Sequence, residues 1–150
     1  MEYKGAGVII FCNNSFIIVE GNQNIYSFPK GHIRKSINET LEECASRELY
    51  EETGIYYSPE CFNRCTNISI YEYIYYIIVV DEQKCNFNIQ DKKEILSCRW
   101  FNISELLSIY YKCNQGIKKI LSNWNYYREI FNSIEPNTDF FEVKHLVCLM

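Results

Sequence analysis

The segment from Thr40 to Gly54 constrains this chain more than any other. Leu41, Cys44, Ala45 and Leu49 recur at helical spacing and form one apolar stripe of an amphipathic helix. Gly54 stands where a helix ends on a left-handed residue. Two capping boxes compete for its start, Ser36-x-x-Glu39 and Thr40-x-x-Glu43. The same helix carries Arg47-Glu48-Leu49-Tyr50-Glu51-Glu52-Thr53-Gly54. Glu48 lies three residues from Glu51 and four from Glu52, so the three carboxylates can project from one side. Like charges this close repel unless a cation sits among them. A hard divalent ion such as Mg²⁺ takes oxygen ligands, keeps several waters and bridges to phosphates. The apolar stripe would anchor the helix to a core and hold the acidic side toward a cleft. A solvated acidic helix face is the other reading of the same run.

The rest of the chain reads as strands around that helix and helices after it. Gly5–Phe11 and Phe16–Glu20 are apolar runs joined by the turn signal Asn13-Asn14, a hairpin pattern. Ser69–Val80 is a long β-rich run, expected as one central strand, and Glu94–Phe101 as a further strand. Asn102 or Ser104 can cap a helix through Leu107. Gln115–Asn132 is expected as a further helix, basic at Lys118, Lys119 and Arg128 and ended by Pro136. The tail 135–150, with an apolar run from Phe140, receives no role. With 150 residues, no repeat and no Gly/Pro/Ser-rich linker, the chain is expected to be one mixed α/β domain spanning 1–150.

Composition narrows the function classes. A net charge of −4 argues against bulk electrostatic coating of nucleic acid, although a local basic strip remains open. No apolar stretch approaches the roughly 20 residues of a membrane span, and Met1-Glu2-Tyr3-Lys4 lacks a signal-peptide pattern, so a cytoplasmic protein without membrane partners is expected. Eight cysteines without a CxxC pair read as reduced thiols, several within apolar segments. With only His32 and His145 as imidazoles, a structural zinc site is not expected.

Gly31, Glu39, Arg47, Glu48, Leu49, Glu51, Glu52, Gly54 and Ile55 resemble the Nudix box, here spanning residues 31–55. The pattern from Glu39 through Ile55 is complete; seven residues separate Gly31 from Glu39 where the family has five, which bears on the role of the Gly31 carbonyl. The resemblance implies an α/β/α sandwich with a mixed sheet. It also implies hydrolysis of a diphosphate linked to another group, with Mg²⁺ or Mn²⁺ as cofactor. By position Glu48, Glu51, Glu52 and the Gly31 carbonyl would hold the metal, with Glu52 also catalytic. Arg47 is expected as a structural partner of Glu39 or Glu51. Glu94, before Arg99-Trp100-Phe101, is the candidate general base.

Tyr26-Ser27-Phe28-Pro29-Lys30-Gly31 is similar to the corresponding segment of mRNA-decapping Nudix enzymes. This implies capped RNA as substrate, with Lys30, Arg34 and Lys35 meeting the polyphosphate. Lys118 and Lys119, on a helix around 115–132, would track the RNA; that helix reads equally as one packing on the sheet. The acidic charge balance departs from the decapping pattern. Pro29-Lys30-Gly31-His32 is also similar to dinucleoside-polyphosphate and diphosphoinositol-phosphate hydrolases. The alternative of another class is an inactive nucleotide-binding Nudix module, against which stands the retention of every box glutamate. Oligomeric state is left open.

Overall fold

In the computed structural model, which describes residues 2–136, every inner layer is built on one strand. That strand is β1 (Gly5–Cys12), buried along its whole length. It turns through Asn13 and Asn14, both left-handed at φ 48° and 59°, into β2 (Ser15–Gly21). Two-residue hairpin loops favour this geometry because it matches the strand twist. Short strands β3 (Tyr26–Ser27) and β4 (Lys30–His32) follow, β3 against the far end of β2 and β4 against the first residues of β1.

Helix α1 (Leu41–Thr53) starts at Thr40, whose side chain accepts from Glu43 N while Glu43 accepts from Thr40 N, so the second of the two capping boxes is the one used. Ser36 falls instead in a 3-10 turn, Lys35–Ile37, within the longer loop between Gly31 and Glu39. Gly54 closes α1 at φ 81°.

The 69–80 run differs from expectation. It is two strands, β5 (Asn67–Ile70) and β6 (Tyr73–Val79), reversing at Tyr71, whose φ is 55°. β6 then lies parallel to β1 from Gly5↔Tyr73 to Phe11↔Val79, the parallel pairing that makes the sheet mixed. β7 (Ile95–Asn102) runs antiparallel to β2, and Asn102 caps α2 (Ile103–Ser108). The expected 115–132 helix is also two, α3 (Gln115–Ser122) and α4 (Trp124–Ser133), broken at Asn123. The break lets Ile117, Ile120 and Leu121 of α3 and Tyr127 and Phe131 of α4 all reach the core.

Alternation along the strands divides the core in two. Ala6, Val8 and Ile10 face α1 with Leu49, Tyr57 and Trp100. Ile9 and Phe11 face α3 and α4 with Phe16, Phe28, Tyr75 and Phe131. The result is an α/β/α sandwich. All seven cysteines among the described residues are free thiols. No helix among them is long and apolar enough to cross a membrane. The apolar run from Phe140, His145 and Cys148 lie outside the described residues.

Candidate active site

The last two turns of α1 meet β4 edge-on, and Glu48 and Glu52 are pressed between them. A Cβ at Gly31 would run into the Glu48 carboxyl, so this glycine is required by close approach. Its carbonyl, opposite Ala6 in the β1–β4 ladder, also accepts from Cys44 Sγ at 3.5 Å, a weak bond. Glu52 is only 7% exposed and accepts from Lys30 N at 3.3 Å. Burial, and then the neighbouring Glu48 charge, push the Glu52 carboxyl well above the usual carboxylate range. Burial also raises Glu48, whose charge faces Glu52.

Arg47 organises the opposite side. Its Nε and Nη2 hold both oxygens of Glu39, at 2.6 and 2.9 Å, while Nη2 also donates to His32 O at 3.0 Å. Nη1 reaches Glu48 at 2.6 Å and Glu51 at 3.2 Å. The two sequence readings of Arg47, partner of Glu39 or of Glu51, are therefore both realised. Burial works to raise the Glu39 carboxyl, but the Arg47 hydrogen bonds and the Arg34 N–H outweigh it and hold the group below its ordinary value. The longer loop is held through Arg34, whose N donates to Glu39 at 3.0 Å and whose side chain lies 3.5 Å from Glu51 of α1.

A cavity of about 800 Å³ opens over these groups. Lys30, Gly31, Arg34, Glu48, Glu51, Glu52 and Glu94 all line it. Glu94 reaches its rim because the segment before β7 docks on the C-terminus of α1: Asn88 N donates to Thr53 O, and Gln90 N and Asp91 N to Glu51 O, at 2.8–3.0 Å. Those contacts satisfy carbonyls that a helix end leaves without partners. Three of the candidate residues lie elsewhere. Lys35 pairs with Glu2 at 3.2 Å beside a separate cavity. Lys118 rests 5.5 Å from the centre of the Tyr110 ring and Lys119 is exposed; neither lines the cavity, because α3 spends its apolar face on the other side of the sheet. Sequence reasoning missed Asp91, Tyr73 and Asn114, which line the cavity from three separate segments. Asp91 had a local signal, an acidic residue three before Glu94; the other two had none.

The donor set suits a hard divalent cation. Three carboxylates and a backbone carbonyl offer only oxygen, and the Glu48 charge disfavours ionisation of the buried Glu52, a repulsion that a cation would relieve. Among the described residues no three acidic, His or Cys side chains yet converge as metal ligands do. The reason lies in Arg47, whose Nη1 draws the Glu48 and Glu51 oxygens to itself.

Fold and site together define a class. A family model of the NUDIX domain matches residues 1–123, and the chain belongs to the Nudix family of hydrolases. Phosphatase NudJ of Escherichia coli K12 is 31% identical over 106 residues, 66% of this chain and 67% of NudJ. Protein 111R of Invertebrate iridescent virus 3 is 37% identical over 54 residues, 36% of this chain; the chain spans 31% of that protein's length. Among solved structures, a Caenorhabditis elegans Ap4A hydrolase binary complex aligns over 84% of this chain and 98% of its own, with TM-score 0.59 and 16% identity. A Francisella tularensis bifunctional NMN adenylyltransferase/ADP ribose pyrophosphatase, complexed with AMP and a manganese ion, aligns over 82% and 42%, with TM-score 0.60 and 19% identity. At these identities the structural likeness shows the fold alone.

Proposed function

We propose that this chain hydrolyses a diphosphate linkage in a nucleotide-containing substrate, with Mg²⁺ or Mn²⁺ held by Glu48, Glu51 and Glu52 and by the Gly31 carbonyl. The observation that carries the reading is the buried Glu52 carboxyl beside the largely covered Glu48 carboxyl beneath an open cavity, an arrangement costly to a solvated helix face. When bound, a divalent ion neutralises phosphate oxygens and makes water more acidic. The chain's own groups do the rest. Lys30 anchors a phosphate as a point charge, and Arg34 extends that positive wall. Glu94, at the rim, takes the proton from the attacking water as general base. Arg47, although it too lines the cavity, acts structurally: it fixes the distance between the Glu39 loop and the acidic side of α1.

The finer reading is the 5′ cap of mRNA, released as a nucleoside diphosphate. It is supported by the run from Tyr26 to Gly31, with Lys30 on the cavity wall and Lys118 and Lys119 proposed to follow the RNA body. A second reading, hydrolysis of a free dinucleoside polyphosphate, is favoured by the separation of both α3 lysines from the cavity. The names of NudJ, a phosphatase, and of the Ap4A hydrolase agree with the broader chemistry. A parallel assay of capped RNA, diadenosine polyphosphates and diphosphoinositol phosphates, each with Mg²⁺ or Mn²⁺, tests both levels. Cap nucleoside diphosphate released from long RNA but not from free cap dinucleotide supports decapping. Turnover of small dinucleotides alone supports the second reading, and no hydrolysis of any of these compounds overturns the proposal.

A further inference from the structure

Tyr73 and Lys30 belong to different strands on opposite sides of β1. In register, Gly5 pairs with Tyr73 on one side and with His32 on the other, and Gly7 with Lys30. A side chain at either glycine would keep the two strands' side chains apart. A Cβ on Gly5 would meet Tyr73 Cε1 at 2.9 Å, and one on Gly7 would meet Lys30 Cβ at 2.7 Å. With both positions bare, the Tyr73 ring and the β4 side chains meet across β1. Lys30 Nζ stands 4.6 Å from the ring centre, and the His32 ring stacks on it at 5.9 Å and 12°.

We propose that Tyr73 is a positioning residue, its aromatic face holding the Lys30 ammonium at the cavity wall for a substrate phosphate; this rests on the phosphate-binding reading above. Lysine is a point charge on a flexible four-carbon stem. An ion pair would fix it but would also neutralise the charge that a phosphate must meet. An aromatic quadrupole fixes it and leaves the charge in place. Among the described residues Lys30 Nζ makes no ion pair, and Tyr73, Lys30 and the three glutamates line one cavity.

The test compares Tyr73→Leu, Tyr73→Phe, Lys30→Met and the Tyr73→Leu/Lys30→Met double variant, using inorganic pyrophosphate as probe with and without Mg²⁺. Lys30 ε-methylene protons are followed by NMR in the same samples. Wild type and Tyr73→Phe are expected to bind pyrophosphate alike and to show the upfield ring-current shift at Lys30. Tyr73→Leu is expected to lose that shift and to bind about 2–5-fold more weakly, with no further loss when combined with Lys30→Met. An equal loss from Tyr73→Leu in the Lys30→Met background would overturn the proposal, as would a Lys30 resonance indifferent to Tyr73 or a wild type that does not bind pyrophosphate. Pyrophosphate binding with the expected pattern, but no hydrolysis of any nucleotide, would instead uphold the positioning role and refute the proposed activity.

Discussion

Arg47 grips both oxygens of Glu39 at 2.6 and 2.9 Å and, with its remaining nitrogen, spans to Glu48 and Glu51. One guanidinium thereby fixes the loop after β4 to the acidic side of α1. The planar fork is needed for this: a lysine ammonium cannot hold Glu39 bidentately while meeting two further carboxylates and the His32 carbonyl.

Removing one partner of that pair strands a charge out of water, since the Arg47 side chain is 16% exposed and that of Glu39 4%. Arg47→Met, which leaves the Glu39 carboxylate covered and without its cation, is expected to cost about 3–5 kcal/mol of stability, and Glu39→Gln less, because Arg47 keeps Glu48 and Glu51. Urea unfolding at pH 7 checks this. The double variant should lose much less than the sum of the two, because the residues act as a unit.

The buried Glu52 beside Glu48 makes the stability of the metal-free protein depend on pH. Burial raises the Glu52 carboxyl above its ordinary value of 4.5, so between that value and its folded one the native state binds more protons than the unfolded chain. Its contribution is fully present below the ordinary value and is lost as pH rises through the folded one. In EDTA the melting temperature should therefore decline from mildly acid toward alkaline pH. Glu52→Gln should flatten that slope, and scanning calorimetry across the range reads both.

Much of α1 was legible because its signals agree. Apolar spacing, a capping box and a terminal glycine all point to one helix, and the glutamates sit inside it. The break at Tyr71 was not legible: a tyrosine at φ 55° carries none of the Gly or Asn chemistry that marks a reversal, and only Glu72 interrupts a β-prone run around it. At the division of α3 from α4 the one local signal is Asn123 itself, whose side chain donates to Lys119 O, with no Gly or Pro beside it. The choice between the two capping boxes was decided by tertiary structure, because Glu39 is claimed by Arg47 and Arg34 N and has nothing left for a cap. Tyr73 and Asn114 reach the cavity only through sheet register and loop docking, which sequence spacing does not encode.

Gly54 links helix termination to the site. Its φ is 81°, and a Cβ on it would stand 2.9 Å from both N and C of Asn88, which leaves no room for a side chain. Gly54→Ala is expected to cost at least about 1–2 kcal/mol for the left-handed backbone alone. Because the 88–91 segment rests on the end of α1, hydrolysis should fall as well, through displacement of Glu94. Thermal unfolding and turnover of the same variant test the two effects together.

Glu94→Gln preserves shape and hydrogen-bonding reach but cannot accept a proton. Loss of a general base is expected to lower kcat by about 10²–10⁴-fold with little change in KM. Steady-state kinetics on the substrate selected by the parallel assay decide it; an unchanged kcat would remove Glu94 from the reaction.

If capped RNA is the substrate, Lys118→Glu with Lys119→Glu should weaken binding of long RNA, and activity should fall with rising salt. Neither change should affect a free cap dinucleotide, since these side chains stand outside the cavity. Equal rates for long RNA in the variant and the wild type would take α3 out of RNA recognition.

The most direct test of the whole account is a Mn²⁺ titration followed by electron paramagnetic resonance, comparing the intact chain with Glu52→Gln. Tight uptake by the intact chain, weakened about 10–100-fold or more in the variant, is the expected result. Equal affinity in the two, or no uptake by either, would contradict the claim that the carboxylates of α1 gather divalent ions.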